Sequence, residues 1–342
     1  FGFTIKDINL KDFRMVEKVE ILLSSDTPIG VSKAMGLGMI SFSEALDRLK
    51  PDIIVGLGDR FELFSLASAA LVQNVPFAHI HGGEVTSGAF DDPFRHSITK
   101  MSHLHFASTE VYRKRIIQLG ENSKNVYNVG ALGIDNLRKM KLLSKGDLEK
   151  SLEFKLDAPF FVITFHPVTL DNNSSKNQIN ALFTALNHYS DYKIIFTMPN
   201  ADNDGRIISK LIDSYVSHNK SRAKSFISLG QLRYLSALKY AELMIGNSSS
   251  GIIEMPFFNK PTINIGDRQK GRLLSKSIIQ CEPNEKSIIN AIKKGLTNIF
   301  INSIKTESGL YGKGFASQKI KNILMQTDYS KLIKKDFFDK DI

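Results

Sequence analysis

Residues 79–96 read HIHGGEVTSGAFDDPFRH and crowd three histidines (His79, His81, His96), three acids (Glu84, Asp91, Asp92) and Arg95 into one segment. An apolar, strand-forming run, Val75–Ile80, precedes it, and Gly82-Gly83 breaks the pattern. Core packing has no use for such a group, so it is either a solvated turn or the lining of a site. A further acid, Asp59, stands beside Arg60 in GLGDRFE, where the plain alternative is the cap of the following helix. Carboxyls focused on one place perturb each other's pKa, which is how a site obtains an acid and a base at neutral pH.

A second stretch, GNSSSGIIE at 246–254, follows the apolar run AELMI. Glycines and serines at a helix start leave backbone N–H groups facing outward, the hydroxyls of Ser248, Ser249 and Ser250 add donors, and the helix dipole favours negative charge there. The pattern suits a diphosphate cradle running from Ser248 to Gly251, although it lacks the GKS/T of a Walker loop. An ordinary serine cap is the competing reading. Glu254, about one turn further on, could accept from two ribose hydroxyls, and Arg268 in GDRQKGR supplies a fork that fits phosphate.

Other chemistries find less support. The pairs His79/His81 and His103/His105 could each present two ligands on one strand face, but no cysteine or carboxylate grouping with zinc spacing accompanies them, so no metal and no cofactor is expected. There is no G-x-S-x-G elbow, and the glycines of GLGMI (36–40) lack a third glycine and fall inside a helical pattern.

The elements that must position these groups alternate. Strands are expected at Val19–Leu23, Asp52–Leu57, Val75–Ile80, His103–Ala107, Asn125–Val129, Pro159–Thr164, Lys193–Thr197, Ser225–Ser228, Leu243–Ile245 and Thr262–Ile265. Helices are expected at Pro28–Leu49, Phe61–Gln73, Pro93–Met101, Glu110–Leu119, Ser287–Lys294 and Ala316–Met325. Such alternation predicts an α/β protein with parallel sheets covered on both faces. The charged segment 140–156 separates two runs, so the expected division is 1–148, 149–325 and a tail, 326–342, packed on a domain. Ligands of open parallel sheets bind beyond the carboxyl ends of the strands. That rule selects Gly58-Asp59-Arg60, the His81–Asp92 segment, His166, Asn200 and its neighbours, and Asn247–Ser250.

The chain has 342 residues, enough for two domains, and no apolar run approaches the ~18 residues of a membrane span. Its formal charge is +10, but the lysines are scattered and no nucleic-acid-binding signature is present, so an anionic small molecule is the better match. The only cysteine, Cys281, excludes an intramolecular disulfide and fits a reducing compartment.

Taken together, GDRFE, HIHGGEVTSGAFDD, RHSITKMSHLHF, VGALGID, FHPVT, MPNAD, GNSSSGIIE and INIGDRQKGR resemble the hydrolysing UDP-N-acetylglucosamine 2-epimerases of sialic-acid biosynthesis, over about residues 1 to 325. The resemblance implies a GT-B fold, two Rossmann-like domains flanking a cleft, and a cytoplasmic homo-oligomer, a dimer or tetramer. It also implies a first strand with a Gly-Thr-Arg motif ahead of residue 1, so the chain is expected to be a fragment. The implied reaction eliminates UDP from UDP-GlcNAc and hydrates the resulting 2-acetamidoglucal to N-acetylmannosamine. Carried over by position, Asp59, Glu84 and Asp91 are the acid/base residues, His166 lies by the leaving phosphate, Glu254 by the ribose, and Arg60 by the sugar. Asn200, Arg268 and the 248–251 turn complete the substrate contacts. Vertebrate members carry glutamate at the position of His81, which leaves the division of roles between His81 and Glu84 open. A UDP-2,4-diacetamido-trideoxyhexose is the nearest rival substrate, and a GT-B glycosyltransferase the rival class.

Overall fold

In the computed structural model the described residues are 17–21, 23, 27–85, 91–166, 174–199, 203–305 and 309–339. They form two compact units. The first takes the described residues up to Glu84, those of 91–128 and those from Ile320 onward; the second takes Val85 and the residues from Val129 to Lys319.

The first unit is built on a parallel sheet whose order follows the chain: β1 (Ile54–Leu57), β2 (Phe77–Ile80), β3 (Leu104–Ala107) and β4 (Val126–Asn128). Every residue of β2 and β3 is buried, as expected of inner strands covered on both faces. Register sets Gly56 beside His79 and His79 beside His105. The long α1 (Pro28–Leu49) starts where Thr27 accepts from Gly30 N at 3.1 Å and a proline occupies its first turn. It stops at Lys50, which takes a left-handed conformation (φ 44°). Its buried side is made largely of small residues (Gly30, Ala34, Gly38, Ala45), which lets α2 (Phe61–Val72) come close enough for Ser65 Oγ to donate to Met35 O at 3.1 Å. Two further helices, α3 (Asp91–Met101) and α4 (Glu110–Gln118), complete the layers. The expected strand at Val19–Leu23 does not form: its described residues are irregular, and Leu22 lies outside the described set.

The C-terminal tail returns to this unit. Lys335 Nζ donates to Lys100 O (2.6 Å) and Ser102 O (2.7 Å), stopping the carbonyl end of α3, and pairs with Glu121 Oε2 at 2.7 Å. Phe338 N donates to Gly120 O at 3.0 Å, and Phe337 fills the space a side chain at residue 120 would need.

In the second unit, α5 (Leu132–Lys139) and α6 (Lys145–Leu152) lead into a six-stranded parallel sheet. Its strands are β5 (Phe160–Thr164), β6 (Lys193–Thr197), β7 (Ala223–Phe226), β8 (Leu243–Gly246), β9 (Thr262–Ile265) and β10 (Ile278–Cys281), in the order β10-β9-β8-β5-β6-β7. Residues 129–148, read from sequence as part of the first half, group here because α5 is tied to the far end of the chain. Asp135 accepts from Ala316 N (2.8 Å), Ser317 N (2.7 Å) and Ser317 Oγ (2.5 Å), capping the helix Ala316–Gln326 from 181 residues away. Burial works against ionising Asp135, yet these donors hold its carboxyl below the usual range. The core is continuous, with Phe161, Ile163, Phe165, Ile194, Phe196, Ile245 and Ile263 fully buried. β7 forms two residues earlier than expected, paired to β6 from Ala223. β10, unanticipated, is an edge strand whose Gln280 bonds to Asn264 (2.6 Å) and Gly266 O (2.6 Å).

Candidate active site

In the first unit two acids, Asp59 just past β1 and Asp92 on the first turn of α3, share one guanidinium. Arg95, on the first turns of α3, is 3% exposed. Its Nη2 is ion-paired to Asp59, and its Nη1 donates to Asp92 Oδ1 (2.9 Å) and to Glu84 O (3.0 Å). Asp59 follows β1 through Gly58, whose left-handed φ of +95° turns the chain before α2. Asp91 opens α3 and is half-buried. Burial, then the nearby Asp59 charge, raises its pKa above the ordinary carboxyl value, against the pull of Arg60 and Arg95. Two carboxyls thus share one neighbourhood, one ion-paired and one biased toward its protonated form, which is the arrangement an acid/base pair needs.

Glu84, at the end of the HGGE turn, is 3% exposed. Its Oε1 accepts from Ser108 Oγ at 2.8 Å and lies 3.0 Å from His81 Nδ1. His81 has φ +66°, an uncommon conformation for a residue with a Cβ, and strain of this kind concentrates at functional sites. Arg60 points elsewhere: its side chain is largely exposed and bonds to Glu62 at 3.2 and 3.4 Å. The His103/His105 pair is also accounted for. His103 Nδ1 accepts from Phe77 N (3.2 Å), and His105 Nε2 lies 2.9 Å from Glu121 Oε2.

The second cluster falls where the strand order of the larger sheet reverses, between β5 and β8, the place where open α/β sheets receive ligands. Asn247, just past β8 and fully buried, holds it together. Its Oδ1 accepts from His166 N (2.7 Å), its Nδ2 donates to His166 O (2.8 Å), and its backbone N donates to Thr164 O (3.1 Å). Its carbonyl accepts from Arg268 Nη1 (3.0 Å) and Gln269 Nε2 (2.8 Å). One residue therefore fixes the backbone of His166 and the guanidinium of Arg268 together. Burial, then the Arg268 charge, lowers the His166 pKa to about 4, so the ring is neutral at physiological pH. Gly246 permits the approach: at φ +142° a Cβ there would collide with Thr164 O.

The serines follow on a short helix, Ser249–Ile253. It has five residues, so its dipole is slight, and its donors are the individual hydroxyl and N–H groups. Ser248 Oγ accepts from Ser250 N at 3.3 Å, and Ser250 Oγ accepts from Tyr234 at 2.8 Å, which leaves both hydroxyl protons available to a ligand. Gly251 is needed for packing, since a Cβ would meet Thr262 Cγ2 at 2.6 Å. Glu254 caps the end of this helix, and Gly133 of α5 makes room for it: a Cβ there would stand 2.9 Å from Glu254 Oε1. Asn200 lies outside the described residues.

The chain is thus α/β with two parallel sheets, a GT-B-like architecture, with acids at strand ends in the first unit and hydrogen-bond donors at the switch point of the second unit's sheet. The profile of the UDP-N-acetylglucosamine 2-epimerase family matches residues 3–325. The chain is 48% identical, over 83% of its length and 74% of the relative's, to the GDP/UDP-N,N'-diacetylbacillosamine 2-epimerase (hydrolyzing) of Campylobacter jejuni. It is 37% identical, over 99% and 86%, to polysialic acid biosynthesis protein P7 of Escherichia coli. The crystal structure of UDP-GlcNAc 2-epimerase from Neisseria meningitidis bound to UDP-GlcNAc superposes with a TM-score of 0.78 at 18% identity, over 90% of this chain and 84% of that one, which shows the shared fold. The chain belongs to the UDP-N-acetylglucosamine 2-epimerase family and is an enzyme. No helix among the described residues is long and apolar enough to cross a membrane.

Proposed function

We propose that the protein is a hydrolysing 2-epimerase that converts a UDP-linked 2-acetamido sugar and water to the free 2-epimer and UDP. The observation that carries this reading is the Asp59–Arg95–Asp92 network with Asp91 beside it, whose pKa burial and the Asp59 charge raise. A carboxylate removes the C2 proton. The C–H electron pair forms the C1=C2 bond as the C1–O bond breaks and UDP departs. Water oxygen then adds at C1 while C2 takes a proton on the opposite face, so one water is consumed. Asp59, Glu84 and Asp91 share these proton transfers. Arg268, Ser248 and Ser250 take the charge that develops on the departing diphosphate. Neutral His166 donates a hydrogen bond there, and Glu254 receives the ribose hydroxyls.

The motifs that suggest UDP-GlcNAc do not separate it from a diacetamido sugar, since one hydroxyl-to-acetamido change needs few pocket residues; the relative at 48% identity, named for N,N'-diacetylbacillosamine, supports the diacetamido sugar. Proton NMR in D2O with UDP-GlcNAc, UDP-N,N'-diacetylbacillosamine and its GDP counterpart decides among them. The expected product is a free 2-epimer carrying deuterium at C2, formed fastest from the UDP-diacetamido sugar. A sugar that epimerises while still bonded to UDP, or is released with its C2 hydrogen unexchanged, contradicts the proposal. UDP release that requires an added acceptor would mark a glycosyltransferase instead.

A further inference from the structure

Behind the first unit's acids lies a buried pair, His79 and Thr99, both fully enclosed. The pair touches each of the three segments that carry those acids. His79 Nε2 lies 2.8 Å from Gly58 O, the residue before Asp59. His79 Nδ1 lies 3.1 Å from Thr99 Oγ1, and Thr99 Oγ1 lies 3.0 Å from Arg95 O on the helix that bears Asp91, Asp92 and Arg95. The third segment is the turn leading to Glu84. A Cβ at Gly82 would stand 2.8 Å from Thr99 Oγ1 and 3.0 Å from His79 Nδ1, so that turn rests directly on the pair.

We propose that His79 and Thr99 are positioning residues: they set the placement of Asp59, Glu84 and Arg95 relative to one another and thereby act on the proton-transfer step, an inference that rests on the epimerase reading. The chemistry fixes the directions. A carbonyl only accepts, so the His79 proton sits on Nε2 and bonds to Gly58 O, which holds the left-handed turn that delivers Asp59. Nδ1 is then an acceptor, and the one proton of the Thr99 hydroxyl is divided between it and Arg95 O. Burial keeps the His79 ring neutral, with a pKa of about 3, so the pair adds no charge beside Arg95. His79 sits mid-sheet in register with His105, fully buried, and bonds to Gly58 O and Thr99.

The test compares wild type with Thr99→Val, which is close in shape and lacks the hydroxyl, and Thr99→Ser, which restores it. Turnover, KM for the UDP-sugar and UDP affinity by calorimetry are measured for each. The expected result for Thr99→Val is a kcat lowered roughly 10- to 100-fold, with KM and UDP affinity held within about threefold, because sub-ångström misplacement of reacting groups acts on the chemical step. Thr99→Ser is expected to recover kcat to within about threefold of wild type. His79→Gln, which keeps a donor near Gly58 O but offers Thr99 no ring nitrogen, is the second variant if Thr99→Val does not fold, and is expected to lose kcat in the same way. A wild-type kcat in Thr99→Val overturns the proposal. So does a loss of kcat in step with the fraction of protein that still binds UDP, which is what a purely stabilising role would give. Failure of wild type to process any UDP- or GDP-sugar refutes the epimerase reading and not the pair. The pair is then judged from crystal structures: Gly58 O and the Asp59–Arg95 contact unmoved in Thr99→Val overturn it, and a displaced Asp59 supports it.

Discussion

Replacing Glu121 with glutamine keeps the shape of the side chain and removes its charge. The carboxylate is 2% exposed and receives three groups: Lys100 Nζ at 2.6 Å, Lys335 Nζ at 2.7 Å and His105 Nε2 at 2.9 Å. Burial alone would raise its pKa. The His105 bond and the two ammonium groups outweigh burial and hold the carboxyl at about 2 instead of 4.5. At ~1.4 kcal/mol per tenfold change, that difference contributes about 3 kcal/mol of stability at neutral pH. The folded value is the depressed one, so the contribution is complete above about pH 4.5 and is lost as pH falls toward 2. Glu121→Gln is therefore expected to destabilise the first unit by about 3 kcal/mol, and Lys335→Met, which leaves Lys100 and His105 in place, by about 1–2 kcal/mol. The double variant should fall short of their sum by about 1–2 kcal/mol, because both single changes lose the same Glu121–Lys335 contact, which the double change loses only once. The chain has no tryptophan, so urea unfolding is followed by circular dichroism. A Glu121→Gln variant within about 0.5 kcal/mol of wild type, or a strictly additive cycle, would refute the reasoning.

Two other outcomes follow from the second unit and from the buried rings. Asn247→Ala removes both bonds to the His166 backbone and opens space beside Arg268, and is expected to weaken UDP binding about 10-fold or more, measured by calorimetry, with folded protein still recovered. His79, His103 and His166 have folded pKa values of about 3, 4 and 4, below the ordinary 6.5, so they favour folding above about pH 6.5. Stability should fall as pH drops from 6.5 to about 4, and a thermal midpoint that is flat across that window contradicts the burial of these rings.

Much of the framework was legible because local signals agreed. Thr27-Pro28 announces α1 and its small-residue face continues toward Leu49, so the expected and observed helices coincide. Lys193–Thr197 and Thr262–Ile265 are short apolar runs between turn signals, and both form where expected. Elements with non-local support were harder to see. α5 begins at Ala131 with no side-chain cap, and its anchoring at Asp135 depends on residues 316–317. β10 pairs at one edge and carries a polar Gln280, so its sequence has no buried-strand signature. At the site, the strand-end rule picked out Asp59, Glu84, His166 and Asn247. The hub role of Arg95, however, depends on which carboxyls the fold brings to it, and sequence showed only that an arginine lay near them. Ser108 gave no signal, because nothing in its neighbourhood marks it as the donor to Glu84. The HIH pattern did mark His79, but as one of two metal options, since its Gly58 and Thr99 partners come from other elements.

The carboxylate of Asp135 has a consequence for how the chain matures. During synthesis from the N-terminus, α5 emerges long before residues 316 and 317, the donors that complete its environment. Until they arrive, that acid can be solvated or protonated but not enclosed. Closure of this part of the second unit therefore waits for the helix that starts at Ala316, and a ribosome that stops short of it would release a product with an unsealed interior, recognisable to proteases.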